Sequence, residues 1–446
     1  MIRISEDKKE IIRVGVPAIL ESLIAVVVTT IDTRMISPLG KASVSAVSIT
    51  TQPKLLFLAV FYALGTTASI FISQALGRKN REEANDYFHA ILRITIILSL
   101  ILGVLLALLA DPVMRLCSRQ QDTVGLSADF FRIIMGFMVF QTVSIVLNAS
   151  LRAIGKTNVT LVSAVAMGGL DILVNYLLIE GHWGFPRLEV VGDAFGTVAG
   201  TVAACAISLF YLLRHRDFLT LRGVLSRKGR QPEVMRNIRT KAGNVVFENV
   251  FTRIGFLISG IVVSLLPSEK TAVYFVAMIL LNYTFAFGDG LQSTLVMLTG
   301  RSAGAENYED LKKYVRIGRV IGLAIAAVLS AVFIIGARFF FGLFFSDEAS
   351  IAEGMRYSWV AAALTFLQIL RLVNTAALRG MGEVKIPRII ATICVLIINP
   401  AAGFLLSHVL SFEVWGIWAS SLITQFIWSL LTWIRSTQCI RKLEKA

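Results

Sequence analysis

The sequence predicts an all-α integral membrane protein, with twelve transmembrane helices in two six-helix lobes related by a parallel internal repeat. Three observations predict it. Of 446 residues, 56% are hydrophobic and only 16% are charged, and mean hydropathy is +0.73. Lys and Arg crowd into every second loop. The two halves of the chain match at one offset. Disordered chains need low hydrophobicity and high charge. Soluble enzymes stay near roughly 45–50% apolar and ~25% charged. Both classes are excluded, and the apolar excess must face lipid.

A spanning helix needs roughly 20 mainly apolar residues. That window finds six segments in the first half: 12–36, 44–75, 88–111, 126–150, 157–180 and 190–213. Six more follow: 242–266, 271–300, 314–345, 351–378, 386–410 and 413–435. Several contain Gly or Pro, which membrane helices tolerate. The start, MIRISEDKKEIIR, carries both signs of charge and leads into a long apolar run. It lacks the short apolar core and Ala-x-Ala site of a cleavable signal. The first hydrophobic helix is expected to stay.

The basic residues give the topology. Alternate stretches hold 31 of the 43: the N-terminus to Arg13, 78–93, Arg152 with Lys156, 214–241, 301–319, 379–388 and 435–445. The intervening loops hold six, namely Lys41, Arg115, Arg119, Arg187, Lys270 and Arg338. The positive-inside rule then places both termini in the cytoplasm. The net charge of +14 and pI near 9.8 reflect topology and anionic-lipid contact rather than nucleic acid. The stretch 214–241, with nine basic residues, Asp217, Glu233 and Pro232, reads as a cytoplasmic linker. It divides an N-terminal lobe, 1–213, from a C-terminal lobe, 242–446.

The repeat rests on register. Adding 227 carries Gly77-Arg78-Lys79-Asn80 onto Gly304-Ala305-Glu306-Asn307, and Leu151-Arg152-Ala153-Ile154-Gly155 onto Leu378-Arg379-Gly380-Met381-Gly382. It carries Glu21 onto Glu248 and Gln141 onto Gln368. A shift to 224 carries Asn175 onto Asn399 and Glu189-Val190-Val191-Gly192 onto Glu413-Val414-Trp415-Gly416. Six spans per half make the repeat parallel, a pattern found in transporters. Gly77 and Gly304 are expected to end helices with positive φ, and Gly155 and Gly382 to sit in tight turns.

The segments VGVPAILESL, SQALGRKNREEA, LRAIGKTNVT with LRGMGEVKIP, and DILVNYLLI followed by LEVVGDAFGT resemble the multidrug and toxic compound extrusion (MATE) family. The resemblance covers nearly the whole chain. It implies a cation-coupled antiporter with two lobes around a central cavity, expelling organic, often cationic and amphipathic, compounds in exchange for Na⁺ or H⁺. The expected setting is the cell inner (plasma) membrane. The expected partners are a small organic substrate and the bilayer, with no nucleic acid. The chain is expected to be a monomer and not an enzyme, without a cofactor beyond the coupling ion.

A charge at bilayer depth is costly and marks function. Glu21 and Asp32 stand eleven residues apart on one face of the first span. Pro17 removes a backbone hydrogen bond one turn before Glu21 and is the candidate hinge. Two readings stand: a cation-responsive helix that bends, or an Asp32 that reaches water beside Arg34. Under the resemblance, the Asp fifteen residues after the first-span Pro is a coupling residue, which selects Asp32. Asp171 and Asn175 lie four apart in the fifth span and with Asp32 form the candidate Na⁺ or proton site. Related proteins often place Asn first and Asp second; here the order is reversed. Thr197 matches a fourth member of that cluster under the resemblance; its other reading is a hydroxyl bonded to its own helix. Asp193 is expected at the outer interface.

In the second half Asp32 falls on Ser259, so the lobes are not chemically equivalent. Candidate substrate-cavity residues there are Glu248, Asp289, Gln292, Gln368, Arg371 and Asn374. Arg371 is read either as a fixed charge in a cavity wall, paired with Asp289 or Glu248, or as half of a structural pair. Aromatic residues such as Phe247, Phe251, Tyr274 and Phe275 are expected against lipid or in the core more than against substrate. Trp183, Trp415 and Trp418 are assigned to the outer aromatic belt. Cys117, Cys205, Cys394 and Cys439 have no pairing or metal spacing. No Walker motif, nucleophile elbow or HExxH is present. A lipid or lipid-linked-sugar flippase is the alternative function. A channel would need a continuous polar ring, which no set of spans supplies.

Overall fold

The structure is a computed structural model that describes residues 6–117, 121–215, 217–224, 232–266 and 268–443. Among them there are sixteen α-helices and no strand. The first half runs α1 (Glu6–Ile36), α2 (Lys41–Gly77), α3 (Arg81–Leu108), α4 (Ala110–Cys117), α5 (Gln121–Gly136), α6 (Met138–Ala153), α7 (Thr157–Ile179) and α8 (Val190–Arg214). The second runs α9 (Pro232–Ser264), α10 (Ser268–Gly304), α11 (Tyr308–Ile335), α12 (Ala337–Gly342), α13 (Glu348–Gly380), α14 (Lys385–Thr392), α15 (Asn399–Phe404) and α16 (Glu413–Leu443). Ile393–Ile398 and Leu405–Val409 wind as π-helix, so Lys385–Val409 is one continuous span.

Eleven helices among the described residues are long and apolar enough to cross a membrane. The pair Thr123–Gly136 and Met138–Ala153, bent by 51°, makes a twelfth when counted as one broken span. The architecture is thus the expected all-α, multi-pass one. Helices are the fitting element because lipid offers backbone groups no hydrogen-bond partner. Hydroxyls obey the same rule. Thr29, Thr30 and Thr33 each donate at 2.9 Å to the carbonyl four residues back.

The chain divides into two compact units. One holds residues 20–246; the other holds 1–19 with 247–446. The borders fall inside α1, just after Pro17, and inside α9, not within 214–241. Residues 216 and 225–231 of that stretch lie outside the described residues. In the first unit, Phe61, Phe88, Phe131 and Leu147 are almost fully buried in one apolar core, which Val234, Ile238 and Ala242 of α9 join. Asp217, in the loop after α8, is held below the usual carboxylate range by hydrogen bonds from Lys156 and Tyr211. In the second unit, Ile11 and Val14 of α1 pack on Met297, Leu298 and Tyr314, and Glu10 pairs with Arg301 at 2.8 Å. There α13 packs on α10, α11 and α16.

The repeat extends to backbone torsions. Lys79 and Glu306 both have φ 56°, Gly155 and Gly382 have 79° and 83°, and Glu189 and Glu413 have 53° and 50°. Asn80 caps α3 through the Glu83 amide, and Asn307 caps α11 through the Asp310 amide, both at 3.1 Å. Gly155 and Gly382 take the expected turns. Gly77 and Gly304 do end helices, but the positive φ falls two residues later, on Lys79 and Glu306. The reversal occurs there because it aims Asn80 and Asn307 at the next helix's free amides. Trp183 and Trp415 are exposed, whereas Trp418 is 1% exposed and packs against Tyr274 and Tyr357. Its expected place in the outer belt is therefore corrected to the core of the second unit. The four cysteines are free.

Candidate functional site

The site in the first unit is made by three close glycines. Gly192, Gly196 and Gly200 recur every fourth residue on α8, so they form one stripe. An ideal Cβ on Gly192 would sit 2.7 Å from the Leu178 carbonyl, and one on Gly200 2.6 Å from the Met167 carbonyl. On Gly196 it would sit 1.9 Å from Asn175 Oδ1. α8 therefore lies flush on α7. That contact brings Asp193 to Asp171 and Asn175.

Asn175 is fully buried at the centre. Its amide nitrogen donates to Asp32 at 3.2 Å, Asp171 at 3.2 Å and Asp193 at 3.1 Å. Two amide protons thus serve three carboxylates, so one proton is shared. The opposite side of the same amide is bare. Asn175 Oδ1 is buried with no hydrogen-bond partner among the described residues, and a buried orphan acceptor costs about 1–3 kcal/mol. Lys54 of α2, half-buried, is the cation whose charge acts on all three acids among the described residues, without a hydrogen bond or ion pair to any of them. Its charged neighbours are Asp193, Asp171 and Asp32.

Asp32, Asp171 and Asn175 are brought together as anticipated. Asp32 is held by Asn175 rather than by Arg34, which is exposed. Asp193, in the first turn of α8, is 2% exposed and part of the cluster. Thr197 lies one turn beyond Asp193, half-buried, without a hydrogen bond to the cluster. Glu21 goes elsewhere. It accepts from Arg152 at 2.5 Å and from Thr160 at 2.7 Å. Lys54 was missed by sequence reasoning. A lysine inside the apolar run 44–75, beside Pro53, is the signal that would have found it. No three His, Cys, Asp or Glu among the described residues converge tightly enough to cage a metal by themselves. A cation there would also need the Asn175 oxygen.

The second unit keeps the frame without the charges. Asn399 Nδ2 donates to Ser259 at 3.0 Å, where Asn175 donates to Asp32. Asn399 Oδ1 accepts from Ser420 and Thr424, each at 3.4 Å. Those two stand at the repeat positions of Gly196 and Gly200. The Asn399 acceptor is therefore satisfied where that of Asn175 is not. A space of about 10 Å³ lies beside Ser259 and Asn399, enough for about one water.

Of the second-half candidates, Glu248 accepts from Arg379 at 2.9 Å. Arg371 does not form the expected close pair with Asp289 or Glu248. It is 6% exposed, lies 4.0 Å over the Trp428 ring, and its Nε has no partner. Gln368 Nε2 and Thr375 Oγ1, on the same face of α13, are likewise buried without partners. Asp289 is exposed and Gln292 half-buried. Asn374 turns away from that stripe. Its Oδ1 accepts from Arg319 at 2.7 Å and from Ser436 at 3.2 Å.

Many apolar spans, an internal parallel repeat and a buried ionisable cluster define a multi-pass membrane transporter. The MatE family profile matches twice, at residues 17–177 and 245–405, once in each half. The chain belongs to the MatE family. It is 23% identical over 381 residues to the probable multidrug resistance protein YoeA of Bacillus subtilis (strain 168), covering 85% of this chain and 82% of that protein. It is 23% identical over 441 residues to the probable multidrug resistance protein NorM of Listeria monocytogenes serotype 4b, covering 98% and 95%. A solved structure described as an outward-facing conformation of a multidrug resistance MATE family transporter of the MOP superfamily superposes with a TM-score of 0.91 at 19% identity, covering 99% of this chain and 98% of that one.

Proposed function

We propose that the chain is a cation-coupled antiporter that exports organic, amphipathic cationic compounds across the plasma membrane, with both termini in the cytoplasm. The multidrug resistance names of YoeA and NorM support the substrate class. The observation that carries cation coupling is the bare Asn175 Oδ1, buried beside three carboxylates. Hard cations take oxygen ligands. Na⁺ there would gain the Asn175 oxygen and the carboxylates; a proton would relieve their crowding.

Asp32 ties the site to α1. A cation bound to Asp32, Asp171, Asn175 and Asp193 draws α1 towards α7 and α8, and Pro17 is the hinge that lets α1 respond. A state that binds the cation and a state that binds substrate are then coupled reciprocally. In the second unit, Asp289, Gln292, Gln368 and Arg371 are the groups that meet substrate. Dye export from cells carrying the wild type or Asp32→Asn, with and without a Na⁺ gradient, tests this. Export lost in the variant supports coupling at Asp32. Wild-type cells that export no organic cation would sink the substrate assignment and favour a lipid substrate.

A further inference from the structure

We propose that the second unit carries a binding site for an anionic phospholipid, in a groove between α9 and the first turns of the Lys385–Val409 span. The two helices run side by side in the same direction and touch at two points. Asn399 Nδ2 donates to Ser259 at 3.0 Å. Four residues back on each helix, an ideal Cβ on Gly255 would sit 2.4 Å from the Val395 carbonyl oxygen. Nearer the Lys385 end the helices leave a groove of about 310 Å³, lined by Phe247 and Phe251 of α9 and by Arg388, Ile389, Thr392 and Ile393. Phe247, Ile389 and Ile393 are exposed. Exposed apolar residues continue from them along both helices, at Ile254 and Ile261 and at Ile397 and Phe404. The groove therefore opens on an apolar surface of the kind that lipid covers.

Its polarity is that of a phospholipid read from headgroup to tail. Arg388 stands in the first turn of α14, half-buried, and its guanidinium makes no hydrogen bond or ion pair among the described residues. The carboxylates nearest the lining residues in the chain are already taken, Glu248 by Arg379 at 2.9 Å and Glu383 by Arg435 at 3.0 Å. A positive charge is thus left at the mouth of the groove. A guanidinium there reaches headgroup level and grips a phosphate with two parallel bonds. Thr392 lies one turn, about 6 Å, deeper. Its hydroxyl also has no partner among the described residues, and it stands at the depth of the glycerol ester carbonyls. Phe247, Phe251, Ile389 and Ile393 wall the course of an acyl chain. The repeat shows that the polar pair is particular to this unit. The offsets 227 and 224 put Leu161 or Ala164 at the position of Arg388, and Val165 or Gly168 at that of Thr392. The first unit has neither the cation nor the hydroxyl. Under the proposed topology the Lys385 end lies in the cytoplasmic leaflet, whose anionic lipids attract basic residues.

The test is native mass spectrometry of the purified full-length chain in detergent, titrated separately with phosphatidylglycerol and phosphatidylcholine of identical acyl chains. Wild type should bind phosphatidylglycerol about fivefold more tightly, the preference that one basic side chain gives at a membrane surface. Arg388→Gln should lose that preference, and Arg388→Lys, which keeps the charge, should keep most of it. Arg356→Gln, which removes an exposed charge of α13 outside the groove, should leave it unchanged. Ile393→Trp, which fills the groove, should weaken both lipids. A wild type without preference, an Arg388→Gln chain that keeps it, or an Arg356→Gln chain that loses as much overturns the proposal. So does an Ile393→Trp chain that binds both lipids as wild type does. Arg388→Met repeats the measurement should the glutamine chain not fold.

Discussion

Arg152 donates to Glu21 at 2.5 Å, and 227 residues later Arg379 donates to Glu248 at 2.9 Å. Each pair joins the first spanning helix of its half to the end of the fourth span. The pair is kept in both halves, one of which lacks the acidic cluster, so it is part of the frame that the halves share.

Breaking one partner out of a buried pair costs about 3–5 kcal/mol, because the other charge stays buried. Glu248 and Arg379 are 7% and 12% exposed, against 17% and 21% for Glu21 and Arg152. Arg379→Met should therefore lower stability by about 3 kcal/mol and by more than Arg152→Met. Thermal unfolding of the purified chains gives the order. Equal losses would mean that burial does not set the cost.

Gly196 faces Asn175 Oδ1 with no room for a side chain. Gly196→Ala must push Asn175 away from three carboxylates at once. The expected result is loss of cation-dependent stabilisation, with an overpacking cost of about 1–3 kcal/mol. Gly169→Ala, on α7 with open space around it, should do neither. The two variants are compared by melting with and without Na⁺.

The two central asparagines should part company. Asn399 is satisfied on both sides, so Asn399→Ala costs stability, about 1–2 kcal/mol, and leaves coupling alone. Asn175→Ala removes an orphan acceptor together with the donor to the acids, and should abolish the cation response. An Asn399→Ala chain that loses cation-driven export would contradict this division.

Arg371 stacks on Trp428 with its Nε unpaired. Replacing a buried charge that lacks a close partner with an apolar chain of similar volume is near neutral. Arg371→Met is expected to change stability by less than about 1 kcal/mol while altering substrate preference. A loss of about 3 kcal/mol would instead reveal a structural pair with Asp289.

Sequence alone determined what depends on residues close along the chain. Spans follow from runs of apolar residues, because each helix satisfies its own backbone in lipid. The repeat follows from register, and the turns at Gly155 and Gly382 from local chemistry. Asp32, Asp171 and Asn175 stood out because polar and ionisable side chains are rare inside apolar spans. Tertiary structure decided which groups meet. Asp193 joins the site because Gly192, Gly196 and Gly200 let α8 lie against α7. Glu21, on the same helix as Asp32, turns to Arg152. Whether the asparagine oxygen is filled or bare depends on Gly196 and Gly200 in one unit and Ser420 and Thr424 in the other. Such meetings join residues far apart in the chain, and no local pattern encodes them. Close packing between helices sets them.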